Sequence, residues 1–224
     1  MLTLHYAPDN ASLIVRLALE AAAGPYTTRL VDRRARAQCG AAYRRLNPAG
    51  RIPTLETPDG PVFETGAILL WLAERHPGLG PAAQAPERGA WLSWLFFVSN
   101  TLHADMRALF YPADHAPAGA AQAHHTLTAR RLVRHLALID AHAPIAPQCP
   151  GALDFYLACC LRWCALYPRG GIGWFDRAAT PALARLARAL EGHPAALAAA
   201  RAEGLGPTPF SAPSLADPPE GSAT

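Results

Sequence analysis

The chain predicts a mixed α/β domain over its first third, joined to an all-helical domain over the rest. Three observations carry this reading. The opening Met1-Leu2-Thr3-Leu4 alternates like a strand, a strand-turn-strand stretch surrounds Pro58-Asp59-Gly60, and apolar residues recur every three to four positions through the second half. A length of 224 residues at 51% hydrophobic content suffices for two modest cores.

Residues 2–6 form the first predicted strand, and Ser12 to Glu20 follow with helical spacing that ends near Gly24-Pro25. Tyr26 to Val31 read as a second strand, and a polar, arginine-rich helical stretch then runs to Leu46. The turn signals Asn47-Pro48 and Ala49-Gly50 bring the chain to Thr54-Leu55-Glu56. Pro53, at the head of that strand, has no N–H for a ladder and belongs at a sheet edge or a strand start. Thr57-Pro58-Asp59-Gly60 turns the chain into Pro61-Val62-Phe63, and Glu64-Thr65 lies where strand gives way to helix. The order is therefore βαβαββα. A helical crossover leaves the first two strands parallel, whereas the tight turn makes the last two antiparallel.

Residues 77–86 carry several breakers and no periodicity, which suits a linker. The predicted division is 1–77 for the α/β domain, 78–86 for the linker, 87–204 for the helical domain and 205–224 for a flexible tail. Trp91, Trp94, Leu95, Val98 and Leu102 mark the first bundle helix. Leu132, Leu136 and Ile139, then Leu153, Leu157 and Leu161, then Leu183, Leu186 and Leu190 mark the others. The Pro, Gly and Ser of the tail leave little to bury.

All twenty basic residues are arginine, and the net charge of +3 is interspersed. Arg33-Arg34-Ala35-Arg36 is too short a cluster to argue for nucleic acid. The longest apolar run, Trp91 to Val98, is interrupted by Ser93 and falls short of a membrane span, and the start of the chain lacks the pattern of a secretory leader. A soluble, cytoplasmic protein is the expectation. Five cysteines without a C-x-x-C pair argue for reduced thiols. Cys160 and Cys164 stand four apart on one helix face, but with no adjacent histidine or second pair they read as buried thiols, and no metal site is expected.

The stretch Leu46-Asn47-Pro48-Ala49-Gly50-Arg51-Ile52-Pro53-Thr54-Leu55, followed by Phe63-Glu64-Thr65-Gly66-Ala67-Ile68, resembles the glutathione transferase superfamily. The resemblance covers the first 76 or so residues closely, and the opening from Leu4 to Leu13 looks most like the bacterial beta class. It implies a thioredoxin-like domain followed by a helical bundle, which is the GST fold. It further implies glutathione as co-substrate with no permanently bound cofactor, a small hydrophobic electrophile, and a homodimer. The superfamily places a cis proline at Pro53, so that the N–H and C=O of Ile52 pair with the cysteine of glutathione by strand addition. Glu64 would hold the γ-glutamyl ammonium, and Thr65, at a helix N-terminus, its carboxylate.

Glutathione reacts as its thiolate, and a free thiol has a pKa of about 8.5, so a donor at the start of the first helix would promote ionisation. Beta-class enzymes place a cysteine where Ala11 stands here. Ser12 and Asn10 remain as the side chains able to reach the sulfur, and Ser12 equally suits an N-cap. Tyr6 belongs to the strand rather than to this turn. His103 shares a helix face with Asn100 and Arg107, and in beta-class relatives a histidine in the matching Leu-His context borders the electrophile pocket. Phe96, Phe97 and Phe110 could supply an apolar wall. Gly151-Ala152-Leu153-Asp154 resembles the superfamily's capping box with glycine at the cap. Conjugation of glutathione to an electrophile, glutathione-dependent disulfide reduction, and a noncatalytic binding role all remain open at this stage.

Overall fold

A computed structural model describes residues 1–169 and 171–223. Strands β1 (Leu2–Tyr6), β2 (Tyr26–Leu30), β3 (Thr54–Thr57) and β4 (Gly60–Phe63) form one sheet in the order β2-β1-β3-β4. β1 runs parallel to β2, with Leu2 opposite Tyr26, and antiparallel to β3, with Leu4 opposite Leu55. β3 and β4 form the expected hairpin.

Helix α1 (Ser12–Ala22) buries Leu13, Ile14, Val15, Leu17 and Ala18 completely, and it ends where Ala23 turns left-handed and its N–H reaches the Glu20 carbonyl. The arginine-rich stretch before Leu46 is less helical than its composition suggests. It holds a 3-10 turn at Ala37–Cys39 and only the four-residue α2 (Ala41–Arg44). Arg36 is left-handed at φ 53° and Gly40 is extended, so the hydrogen-bond ladder is interrupted twice. Helix α3 (Thr65–Ala73) follows β4 directly and buries Ile68, Leu69 and Leu72.

In the helical half, α4 (Arg88–Phe97), a π-helical turn (Val98–Leu102) and α5 (His103–Phe110) make one continuous rod. Helices α6 (Ala121–His142), α7 (Ala152–Leu166), α8 (Pro181–Leu190) and α9 (Pro194–Glu203) complete the bundle. α7 is the central post, with all but one of its residues buried. Asp154 accepts from the Gly151 N–H at 2.9 Å and from the Ala146 N–H at 2.9 Å, which completes the capping box. The absent hydroxyl at the cap has a packing reason: a Cβ on Gly151 would lie 2.8 Å from the Leu79 carbonyl oxygen. α1 packs on α3, α7 and α9, and a single apolar core runs from the sheet into the bundle.

The expected flexible tail at 205–224 is corrected by its packing. Over the described residues 205–223, Leu205 and Phe210 are buried. Glu191 accepts from the Phe210 and Ser211 amides, and the Asp217 N–H reaches the Gly204 carbonyl at 2.9 Å. That contact requires glycine, because a Cβ at position 204 would sit 1.9 Å from the Asp217 oxygen. The tail crosses back to the sheet domain, where the Tyr6 hydroxyl donates to Glu220 and Arg33 Nη1 donates to the Ala223 carbonyl at 2.6 Å. Two apolar anchors and a supply of backbone carbonyls to buried guanidiniums outweigh a composition poor in apolar residues.

Candidate functional site

The loop entering β3 is fixed from within. Asn47 is buried, donates from Nδ2 to the Arg51 carbonyl at 2.7 Å, and accepts from the Ala49 N–H at 3.0 Å. The Tyr43 hydroxyl donates to the same Arg51 carbonyl at 2.7 Å and lies 2.9 Å from Thr54 Oγ1. These bonds hold the loop but spare Ile52. Its backbone N–H and C=O form no hydrogen bond among the described residues, and the Ile52-Pro53 bond is cis.

Ile52 and Pro53 line a cleft of about 1380 Å³ between the sheet domain and the bundle. Glu64 and Thr65 border the same cleft at the N-terminus of α3. Glu64 carries φ 69°, a left-handed backbone that an acidic residue adopts at a cost, and its side chain does not cap the helix. Neither side chain forms a hydrogen bond or ion pair among the described residues. A carboxylate, a hydroxyl and a positive helix end therefore face the cleft together.

Asn10 and Ala11 border the cleft at the start of α1, and the Asn10 side chain likewise has no hydrogen-bond partner among the described residues. Ser12 does not border it. Its buried hydroxyl donates to the Ala7 carbonyl at 3.0 Å and accepts from the Ala7 N–H at 3.2 Å. Both of its expected roles are thereby corrected: Ala11 occupies the N-cap position without a side-chain bond, and the Ser12 oxygen ties β1 to α1.

Asp9 is a residue that sequence reasoning missed. It holds φ 48° and is buried, with Arg162 donating to its two oxygens at 2.8 and 2.9 Å and Trp163 Nε1 donating at 2.8 Å. Its N–H donates to Glu203, which also accepts from Arg16 Nε at 2.7 Å. Burial pushes the Glu203 carboxyl up to about 7 against the pull of Arg16 and the Asp9 amide. Arg162 also donates to the Pro209 and Ser214 carbonyls, so the turn, α7, α9 and the tail share one buried network. The residues Pro8-Asp9-Asn10 just before α1 carry the available clue, because they are turn formers and Asp tolerates a left-handed backbone.

Across the cleft, the π-helical turn and the first turn of α5 present Asn100 and His103, and Arg107 follows one turn later. His103 Nδ1 lies 2.8 Å from the Tyr156 hydroxyl. Burial and then the Arg107 charge lower the imidazole to about 4, while burial raises the Tyr156 phenol. The pair is uncharged at neutral pH. Trp163, Tyr167, Phe110 and Tyr111 form an aromatic wall. Phe110 borders the cleft, whereas Phe96 is exposed and Phe97 packs on Trp94 and His135, away from it. Arg33 and Arg36, from the arginine cluster of the sequence, also border the cleft.

Cys159, Cys160 and Cys164 are buried, and burial raises each thiol. All five cysteines are free, and no group of metal-binding side chains occurs among the described residues. No helix among them is long and apolar enough to cross a membrane.

Residues 11–75 match the family model for the glutathione S-transferase N-terminal domain. The chain is 30% identical over 167 residues to glutathione S-transferase GST-4.5 of Xanthomonas campestris, covering 71% of this chain and 81% of that protein. It is 36% identical over 104 residues to the disulfide-bond oxidoreductase YfcG of Escherichia coli, covering 43% of this chain and 48% of that one. Among solved structures, a sphingomonad glutathione S-transferase complexed with glutathione superposes with a TM-score of 0.75 at 31% identity, over 91% of this chain and all of the other.

Proposed function

The chain belongs to the glutathione S-transferase family and is a glutathione transferase, and from that premise we propose that it joins the glutathione sulfur to a small electrophile held against the helical domain. One observation carries the reading. Glu64 and Thr65, both without partners, stand at a helix N-terminus in the same cleft as the unpaired Ile52 backbone ahead of a cis proline. In this reading Ile52 binds the cysteinyl backbone, Glu64 the ammonium and Thr65 the γ-glutamyl carboxylate.

With Ser12 turned inward, the free Asn10 amide and the N-terminal N–H groups of α1 are the donors for the sulfur. They favour the thiolate, whose proton leaves to solvent. The sulfur then attacks the electrophilic carbon, a C–S bond forms, and the leaving group departs with its electron pair. Asn100, His103 and Arg107 border the electrophile, and the aromatic wall accepts its apolar body. Neutral His103 offers a polar atom without charge. A cytoplasmic homodimer completes the proposal, supported by the unpaired cysteines and by exposed Phe96, Leu127, Val133 and Leu138 on α4 and α6.

Calorimetry with glutathione tests the carrying observation. Glu64→Ala should weaken binding about tenfold to a hundredfold, the range of a charge-assisted hydrogen bond. Unchanged affinity would remove Glu64 from the site. The likeness to YfcG favours glutathione-dependent disulfide reduction as a second reading, with Ala11 in place of a cysteine leaving the two successive attacks to two glutathiones. Turnover of hydroxyethyl disulfide, set beside turnover of an aryl halide, separates the two.

A further inference from the structure

We propose that the electrophile half of the cleft is built for an acceptor bearing an anionic group, such as a carboxylate, on an aromatic body. The inference rests on the glutathione-binding reading above and names the substrate class for it.

Five arginines border the cleft: Arg33, Arg36, Arg51, Arg107 and Arg169. Three acids border it as well. Asp9 is neutralised by buried Arg162, Asp114 pairs with Arg107 at 2.8 Å, and Glu64 is assigned to the glutathione ammonium. Arg33, Arg36, Arg51 and Arg169 have no carboxylate partner among the described residues. Glutathione brings two carboxylates. Its γ-glutamyl end is assigned to Thr65, and its glycyl end takes an arginine at the Ile52 loop, where Arg51 adjoins Ile52. The arginines therefore outnumber the carboxylates of glutathione, and Arg33 and Arg169 stand among those with no carboxylate partner among the described residues.

Arg33 is not a loose surface side chain. Nη1 donates to the Ala223 carbonyl at 2.6 Å and Nη2 to the Tyr111 hydroxyl at 3.1 Å, so two neutral acceptors hold the guanidinium in place without cancelling its charge. Its anchor Tyr111 follows Phe110 in the aromatic wall. On the other side, Arg169 lies beside the buried Tyr167 hydroxyl and acts on it by its charge and by side-chain hydrogen bonding. The wall therefore offers flat apolar surface rimmed by two cations that no carboxylate among the described residues neutralises. A neutral acceptor would shield these groups from water and offer nothing in return, whereas an anionic one meets them with charge-assisted hydrogen bonds. The arginine cluster that the sequence left without a role acquires one here.

The test uses one aryl chloride in two charge states, 4-chloro-3-nitrobenzoate and its methyl ester. In each, the thiolate forms a bond to the ring carbon, the C–Cl bond breaks, chloride leaves with the electron pair, and the thiol proton goes to buffer. With kcat/KM divided by the uncatalysed rate with glutathione, the intact enzyme should favour the acid over the ester by about tenfold or more, and added salt should shrink that ratio. Arg33→Met and Arg169→Met should each lower the acid-to-ester ratio at least about fivefold, with calorimetric glutathione binding showing that the cleft still forms. A ratio near one, a ratio unmoved in both variants, or turnover of neither compound by an enzyme that binds glutathione overturns this inference and leaves the glutathione reading standing. Failure of the intact protein to bind glutathione overturns that reading and this one with it.

Discussion

Asp9 and Ser12 flank Asn10 and Ala11, and each spends its side-chain polar atoms inward so that the turn keeps its place at the cleft. Ser12→Ala should therefore act on stability. Loss of both Ala7 bonds leaves a buried N–H and C=O short of partners, which costs about 1–3 kcal/mol in chemical denaturation, while ultraviolet titration of bound glutathione should give an unchanged thiol pKa. A rise in that pKa would return Ser12 to the catalytic set. His103 makes a pH prediction. Its imidazole titrates at about 4 when folded and near 6.5 when unfolded, so as pH falls the unfolded chain takes up the proton first. This contribution to stability is complete above 6.5 and is lost progressively toward 4. In His103→Gln, melting temperature should fall less steeply than in the parent across that window.

At the scale of elements, the rod from α4 to α5 shows what a hydrophobic repeat leaves out. Trp91, Leu95, Val98 and Leu102 keep their buried stripe, yet the backbone between Val98 and Leu102 is π-helical. A wider turn at that point changes which side chains face the cleft, and Asn100 and His103 are among those it presents. The start of α7 makes the same point about caps. Serine is ordinarily at least as good an N-cap as glycine, but Gly151 lies under the Leu79 and Gly78 carbonyls. Gly151→Ser should destabilise the protein by about 1–3 kcal/mol through overpacking, despite restoring the usual capping sequence. A variant that melts at or above the parent temperature would show that the 78–80 segment gives way without cost.

At the scale of the molecule, residues 205–223 connect α9, α7 and the sheet domain. Ending the chain after Gly204 removes buried Leu205 and Phe210 and takes two acceptors from Arg162, so stability should drop by about 3–5 kcal/mol or more. A truncated chain with parental melting behaviour would mean that the tail rests on the fold without supporting it. Much of this architecture is legible in the chain itself. Strand alternation, the Pro58-Asp59-Gly60 turn and the stripes of the bundle are local patterns that backbone preference and amphipathicity express, whereas the Ile52-Pro53 and Glu64-Thr65 pairs were readable through the resemblance to the superfamily. Which guanidinium fills the core at position 162 and whether a polar tail is held were decided by contacts between residues distant in the chain, while the inward turn of Ser12 onto Ala7 and the widened turn before His103 emerge only in the folded backbone. A buried polar group takes whichever partner the packed structure brings to it, and no short stretch of sequence contains that partner.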